Sequence, residues 1–180
     1  MKTSATIWQK LEDILGIFLR LWNTIGVLTT KTTMDKDKLM KELIMDEGYK
    51  YEIYLDHLGY PTMGVGHLIT AKDEEHGQEV GTPVSEERIR ECLDQDIDIV
   101  CSELDRNESW WRNLDDNRQR IMANMCFNLG YPRLSGFKRF LAAVQTSQWE
   151  TAAVEMMDSK WATQVGDRAK RLRDRMLSSS

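Results

Sequence analysis

The stretch that decides the fold is DEGYKYEIYLDHLGYPTMGVGH, residues 46–67. Just before it, Asp35 to Glu47 reads as a short helix with Leu39, Leu43 and Ile44 on one face, stopped by Gly48. From Tyr49 to Ile69 the helical period disappears. The segment is rich in Tyr, Ile, Val and Gly and carries turn chemistry at Asp56-His57-Leu58-Gly59, which predicts a small antiparallel sheet built from hairpins. A polar loop, Lys72 to Pro83, follows.

Everything downstream reads as helix. Ser85 is a predicted N-cap, with Glu86 and Glu87 in the first turn. Ile89, Leu93, Ile97, Val100 and Leu104 then recur at helical spacing along one long element. Further helices are predicted over Asp116–Leu129, closed by Gly130, over Ser135–Val144 and over Gln148–Met157. The last is expected to open with a capping box made by Ser147 and Glu150, and a final helix to begin near Asp167. One early sheet followed only by helices is an α+β architecture, with the helix after Ser85 joining a sheet lobe to a helical lobe. The expected boundaries are a sheet lobe over about 46–84, a connecting helix over about 85–105 and a helical lobe over about 106–180.

The N-terminal extension, residues 1–33, is a separate matter. Trp8, Leu11, Ile14, Leu15, Phe18, Leu21, Trp22 and Ile25 form an amphipathic stripe. Lys10, Glu12, Asp13 and Arg20 interrupt it well short of the roughly 20 apolar residues that a membrane span requires. Three readings stay open for residues 7–28: a helix packed on the domain or a partner, attachment at a membrane surface, and a weak signal-anchor.

Bulk properties narrow the function. The 180 residues suffice for one domain with a substantial core, and the net charge of −5 disfavours a general nucleic-acid binder. Cys92, Cys101 and Cys126 are odd in number and lack paired spacing, so reduced core thiols are expected rather than disulfides or a zinc site. No phosphate-binding loop is present, because the glycines of Gly64-Val65-Gly66 complete no dinucleotide fingerprint. Neither metal nor cofactor is expected. The basic run from Lys160 to Arg175 has two readings, a solvated helix face and a contact with an anionic polymer.

The chemistry lies in the carboxylates. Asp46-Glu47 sits at a helix C-terminus, where the dipole disfavours negative charge. Taken alone this is an exposed acidic pair before a glycine cap. A partly buried acid there is also a suitable proton donor. Asp56 follows at the hairpin turn, and Asp commonly initiates turns. Asp96 lies beside the apolar row of the long helix and needs a partner if it faces inward; His67 is the candidate, in a structural role.

Read in order, Asp46-Glu47-Gly48, Tyr54-Leu55-Asp56, Gly59-Tyr60 and Thr62-Met63-Gly64-Val65-Gly66-His67-Leu68 closely resemble the phage-type lysozymes, glycoside hydrolase family 24. The resemblance continues through Gln95-Asp96, Asn124-Met125, Phe127, Ser135-Gly136-Phe137, Trp149, Ser159-Lys160-Trp161 and Arg168-Ala169-Lys170-Arg171. It implies a two-lobed lysozyme fold and cleavage of the β-1,4 bond between N-acetylmuramic acid and N-acetylglucosamine in peptidoglycan. It further implies Glu47 as general acid, Asp56 as base for water or stabiliser of the transition state, and Thr62 placing the water, with an inverting outcome. Leu68 and Phe127 match sugar-contact positions. Phe140 and Glu155 depart from the polar neutral residues expected at two others. A monomer is expected, and the resemblance implies an enzyme held in the host cytoplasm until lysis and acting on the periplasmic wall. A lytic transglycosylase and a non-catalytic wall-binding or virion module are the competing readings. The first needs no activated water, so Asp56 and Thr62 argue against it, and the acid at Glu47 argues against the second.

Overall fold

The computed structural model describes residues 33–178, and the amphipathic stripe of residues 7–28 lies outside them. Helix α1, Lys36–Glu47, starts at Asp35, whose carboxylate accepts from the Lys38 amide, and ends at Gly48 with φ +82°. A side chain is strained at that angle, so glycine is what lets the chain turn out of the helix immediately after Glu47.

Strands β1 (Lys50–Leu55), β2 (Pro61–Gly64) and β3 (His67–Leu68) form an antiparallel sheet in the order β1-β2-β3. Tyr54 faces Thr62 across the first ladder, and Thr62 faces Leu68 across the second. The loop after β3 returns along β1, where Ile53 donates to Thr82 and Val84 donates to Tyr51. Gly64 seats the sheet on the helix that follows. A Cβ there would lie 2.4 Å from Cγ2 of Ile89, so only glycine permits the approach.

Helix α2, Glu86–Asn107, begins at the Ser85 cap as the sequence predicts. Ile89, Cys92 and Leu93 lie against Met63 and Val65 of the sheet lobe, while Ile97, Cys101 and Leu104 continue the buried face toward the helical lobe. A short 3-10 turn, Trp111–Asn113, leads into α3, Asp116–Leu129, which is buried from Arg118 through Cys126. Around it pack α4 (Tyr131–Leu134), α5 (Lys138–Gln145), α6 (Trp149–Met157), α7 (Lys160–Val165) and α8 (Asp167–Leu177). One continuous core runs through both lobes, from Leu39 and Met63 to Leu172 and Met176. Each fully buried side chain of this size contributes roughly 1.5–3 kcal/mol. All three cysteines are reduced and buried, and burial pushes the Cys126 thiol up to about 12, so it is no nucleophile.

Three expectations are corrected. Ser147 does not cap α6, whose preceding residue Gln148 makes no side-chain cap bond. Ser147 instead adopts φ +57° at the end of α5, where its amide donates to Val144 and that of Gln148 donates to Ala143. This is a Schellman closure, and it uses the residue that a capping box would have needed. The helix expected from Ser135 starts at Lys138, because Tyr131–Leu134 forms its own turn first. Finally, neither reading of the basic C-terminal run describes Arg168, Arg171 and Arg175. All three turn inward onto acids of α1, namely Asp46, Glu47 and Glu42.

Candidate active site

Glu47 is the last residue of α1, with its side chain about a quarter exposed. Its Oε1 accepts from Arg168 at 2.5 Å and from Asn128 at 3.1 Å. Asn128 is itself fixed, since its Oδ1 accepts from the Trp161 indole at 2.8 Å. Arg168 is buried and also donates to Oδ1 of Asn124 at 3.0 Å. The preceding residue on α1, Asp46, has its side chain buried, at 2% exposed, and is not the exposed acid that the sequence suggests. Asp46 takes hydrogen bonds from Asn124 and Arg171 and lies 3.3 Å from Arg168. A carboxylate removed from water in this way requires charged partners, and α8 supplies Arg171 across 125 residues of chain, with Arg168 beside it. Sequence reading missed Arg168, Asn128 and Trp161 as supports of Glu47. The one available signal was two adjacent acids at a helix end and an unassigned basic run.

Asp56 stands at the tip of the hairpin between β1 and β2. The amides of Leu58 and Tyr60 donate to its Oδ1 at 2.8 and 2.9 Å. The Tyr60 amide above all, then those of Leu58 and Gly59 and the nearby His57, holds this carboxyl below its usual range against a smaller opposing effect of burial. Thr62 is buried on the middle strand, and its hydroxyl donates to the Tyr60 carbonyl at 3.0 Å. The Tyr60 backbone thus anchors both Asp56 and Thr62. Tyr54, paired with Thr62 across the ladder, senses both acids. Its phenol is pushed up first by burial and then by the charges of Asp56 and Glu47. The two carboxylates flank β1, one before it and one after it, and both act electrostatically on the Tyr54 phenol.

Leu68 is about half exposed on β3, and Phe127 is partly buried against the core on α3. Phe140 is buried in the helical lobe, and Glu155 is paired with Arg139 at 3.3 Å. Both border a cleft of about 650 Å³ whose walls include Phe137, Trp161, Arg133 and Lys138. Neither Glu47 nor Asp56 lines it, and Trp161 is its link to the acid.

His67 and Asp96 are joined, Nδ1 to Oδ2, at 2.9 Å. A third member was not foreseen: Asp73, in the loop after β3, lies 3.2 Å from Nε2. The Asp96 hydrogen bond raises the His67 pKa, with help from Asp73 and against burial. For Asp73 itself burial acts upward, but the Thr70 amide and hydroxyl and His67 outweigh it, and the carboxyl is lowered.

A small antiparallel lobe, a long connecting helix and a helical lobe make this α+β domain a lysozyme-like fold. The family model described as phage lysozyme matches residues 45–178, and the chain belongs to that family, glycoside hydrolase family 24. It is 30% identical over 146 residues to the probable T4-type lysozyme 2 of Dictyostelium discoideum, covering 71% of this chain and 86% of that protein. It is also 28% identical to the pre-baseplate central spike protein Gp5 of Enterobacteria phage T4 and to the peptidoglycan hydrolase gp36 of Pseudomonas phage phiKMV. The matches cover 71% and 76% of this chain but only 25% and 15% of those longer proteins. The chain is thus a glycoside hydrolase that acts on peptidoglycan as a muramidase-type enzyme. No helix among the described residues is long and apolar enough to cross a membrane.

Proposed function

We propose that the enzyme cleaves the β-1,4 bond between N-acetylmuramic acid and N-acetylglucosamine with inversion, using Glu47 as acid and Asp56 as base. The observation that carries this reading is two carboxylates flanking β1 in unlike settings, Asp56 held by backbone amides and Glu47 by Arg168 and Asn128. Asp56 is kept anionic by backbone amides, as a base must be. Glu47 has one oxygen fixed by Arg168 and Asn128, which orients the other toward a leaving glycosidic oxygen. Thr62, anchored through Tyr60, helps hold the water that Asp56 activates. Leu68 and Phe127 contact sugar on the two lobes. The substrate lies in the periplasmic wall layer.

Product analysis tests the mechanism. Digestion of purified glycan strands is expected to give reducing N-acetylmuramic acid ends, formed first as the α-anomer from the β-linked substrate. Anhydro ends would identify a transglycosylase, and a first-formed β-anomer would make Asp56 a nucleophile.

A further inference from the structure

Away from Glu47, three potential metal ligands converge where β3, the loop after it and α2 meet. They are His67, Asp73 and Cys92, and one ligand atom from each lies within 4.8 Å of the others. We propose that His67, Asp73 and Cys92 form a binding site for a borderline-soft divalent cation of the zinc class, which fastens the sheet lobe to the connecting helix.

The ligand geometry is close to what such an ion needs. A tetrahedral zinc site with bonds of about 2.0–2.3 Å holds neighbouring ligand atoms roughly 3.3–3.6 Å apart. His67 Nε2 and Asp73 Oδ1 are already 3.2 Å apart. Cys92 Sγ lies within 4.8 Å of a ligand atom of each partner, so closing the triad takes a shift on the order of 1 Å.

Two of the three ligands are also oriented from behind. Asp96 takes Nδ1 of His67, which turns Nε2 toward Asp73. The Thr70 amide and hydroxyl each hold Asp73 Oδ2 at 2.8 Å, leaving Oδ1 directed at the ring. A carboxylate behind the histidine and hydrogen bonds behind the ligating carboxylate are the supports that metal sites use. With its proton on Nδ1, His67 presents an acceptor lone pair to an acceptor oxygen, and a cation or a proton must lie between them.

Arg88 approaches Asp73 Oδ1 at 3.4 Å, but its shorter bonds, 2.9 and 3.0 Å, go to Glu75. It remains outside the ligand set. On binding, the cation displaces the Cys92 thiol proton and any proton shared by His67 and Asp73, and the thiolate and carboxylate balance its two charges. A water takes the fourth position. Imidazole, thiolate and carboxylate together favour Zn²⁺, Cd²⁺ or Co²⁺ over Mg²⁺ and Ca²⁺.

The test titrates Co²⁺ into the full chain freed of metal by chelation, following thiolate-to-cobalt charge-transfer absorption. One equivalent is expected to saturate the signal. Cys92→Ser should abolish it, Asp73→Asn should weaken binding at least tenfold, and Cys101→Ala and Cys126→Ala should retain it. Zn²⁺ at about 100 times its Kd should raise the wild-type Tm by about 5–10 °C. Absence of the band in the wild type, or its persistence in Cys92→Ser, overturns the proposal, as does a Zn²⁺ shift that survives in both Asp73→Asn and Cys92→Ser.

Discussion

Replacing Arg168 with Met removes one guanidinium from the interface between α1, α3 and α8. Arg168 is 6% exposed and serves Glu47, Asp46 and Asn124 together. Removing one partner from a buried ion pair costs about 3–5 kcal/mol, because the other charge stays out of water. Asp46 keeps Arg171 and Asn124, which puts the expected loss at the lower end, about 3 kcal/mol. At about 2–4 °C per kcal/mol for a chain of this size, the Tm falls by about 6–12 °C. Arg171→Met is the control. Its side chain is 44% exposed, so its loss should cost no more than about 1 kcal/mol. Urea unfolding of the single variants and of Asp46→Asn/Arg168→Met measures the coupling. The double variant should be more stable than additivity allows by at least about 1 kcal/mol. A loss below about 1 kcal/mol for Arg168→Met, or strict additivity in the double variant, would refute the argument that Asp46 is a buried charge dependent on α8.

Two further outcomes follow from local physics. His67 is raised from its ordinary value near 6.5 by Asp96 first and then by Asp73, with Arg88 beside that carboxylate. Its contribution to stability is therefore fully present below about pH 6.5 and is lost as pH rises through the higher folded value. Asp73, lowered in the fold, contributes as long as pH stays above the ordinary carboxylate range. With chelator present, the stability advantage of wild type over Asp96→Asn should be larger at about pH 5.5 than at about pH 9 in urea titrations, and an equal advantage would contradict the assignment. Ser147→Gly relieves a left-handed residue at the end of α5 and should stabilise by about 1 kcal/mol, read as a Tm rise of about 2–4 °C. A fall in Tm would mean that the Ser147 side chain has a role its backbone does not reveal.

Local signals carried much of the fold. Asp35 and Ser85 cap the helices they precede because each precedes a helix whose third amide it can accept from. The row from Ile89 to Leu104 buries the face its period describes. Ser147 fails for an equally local reason: a helix start and a helix end competed for one residue, and the Schellman bonds of α5 prevailed. The site divides along the same line. Asp56 at the hairpin tip and Thr62 on β2 share the Tyr60 backbone, so a short motif describes them. The surroundings of Glu47 come from α3 and α8, and a carboxylate's need for a cation does not say which distant arginine will meet it. Asp73 was hidden differently, as one acid in a polar loop with nothing to distinguish it before folding set it beside His67 and Cys92.

Glu47 is proposed to protonate the leaving group, and Glu47→Gln isolates that role. Glutamine keeps the size of the side chain and an oxygen that accepts from Asn128 and Arg168, but has no transferable proton. The measurement is the release of reducing ends from a peptidoglycan suspension by wild type and variant at matched concentration, with the fold of each verified by circular dichroism. The variant is expected to fold and to work at a rate at least about a hundredfold lower, the usual scale of a lost general acid. A folded variant that releases reducing ends at the wild-type rate would contradict it.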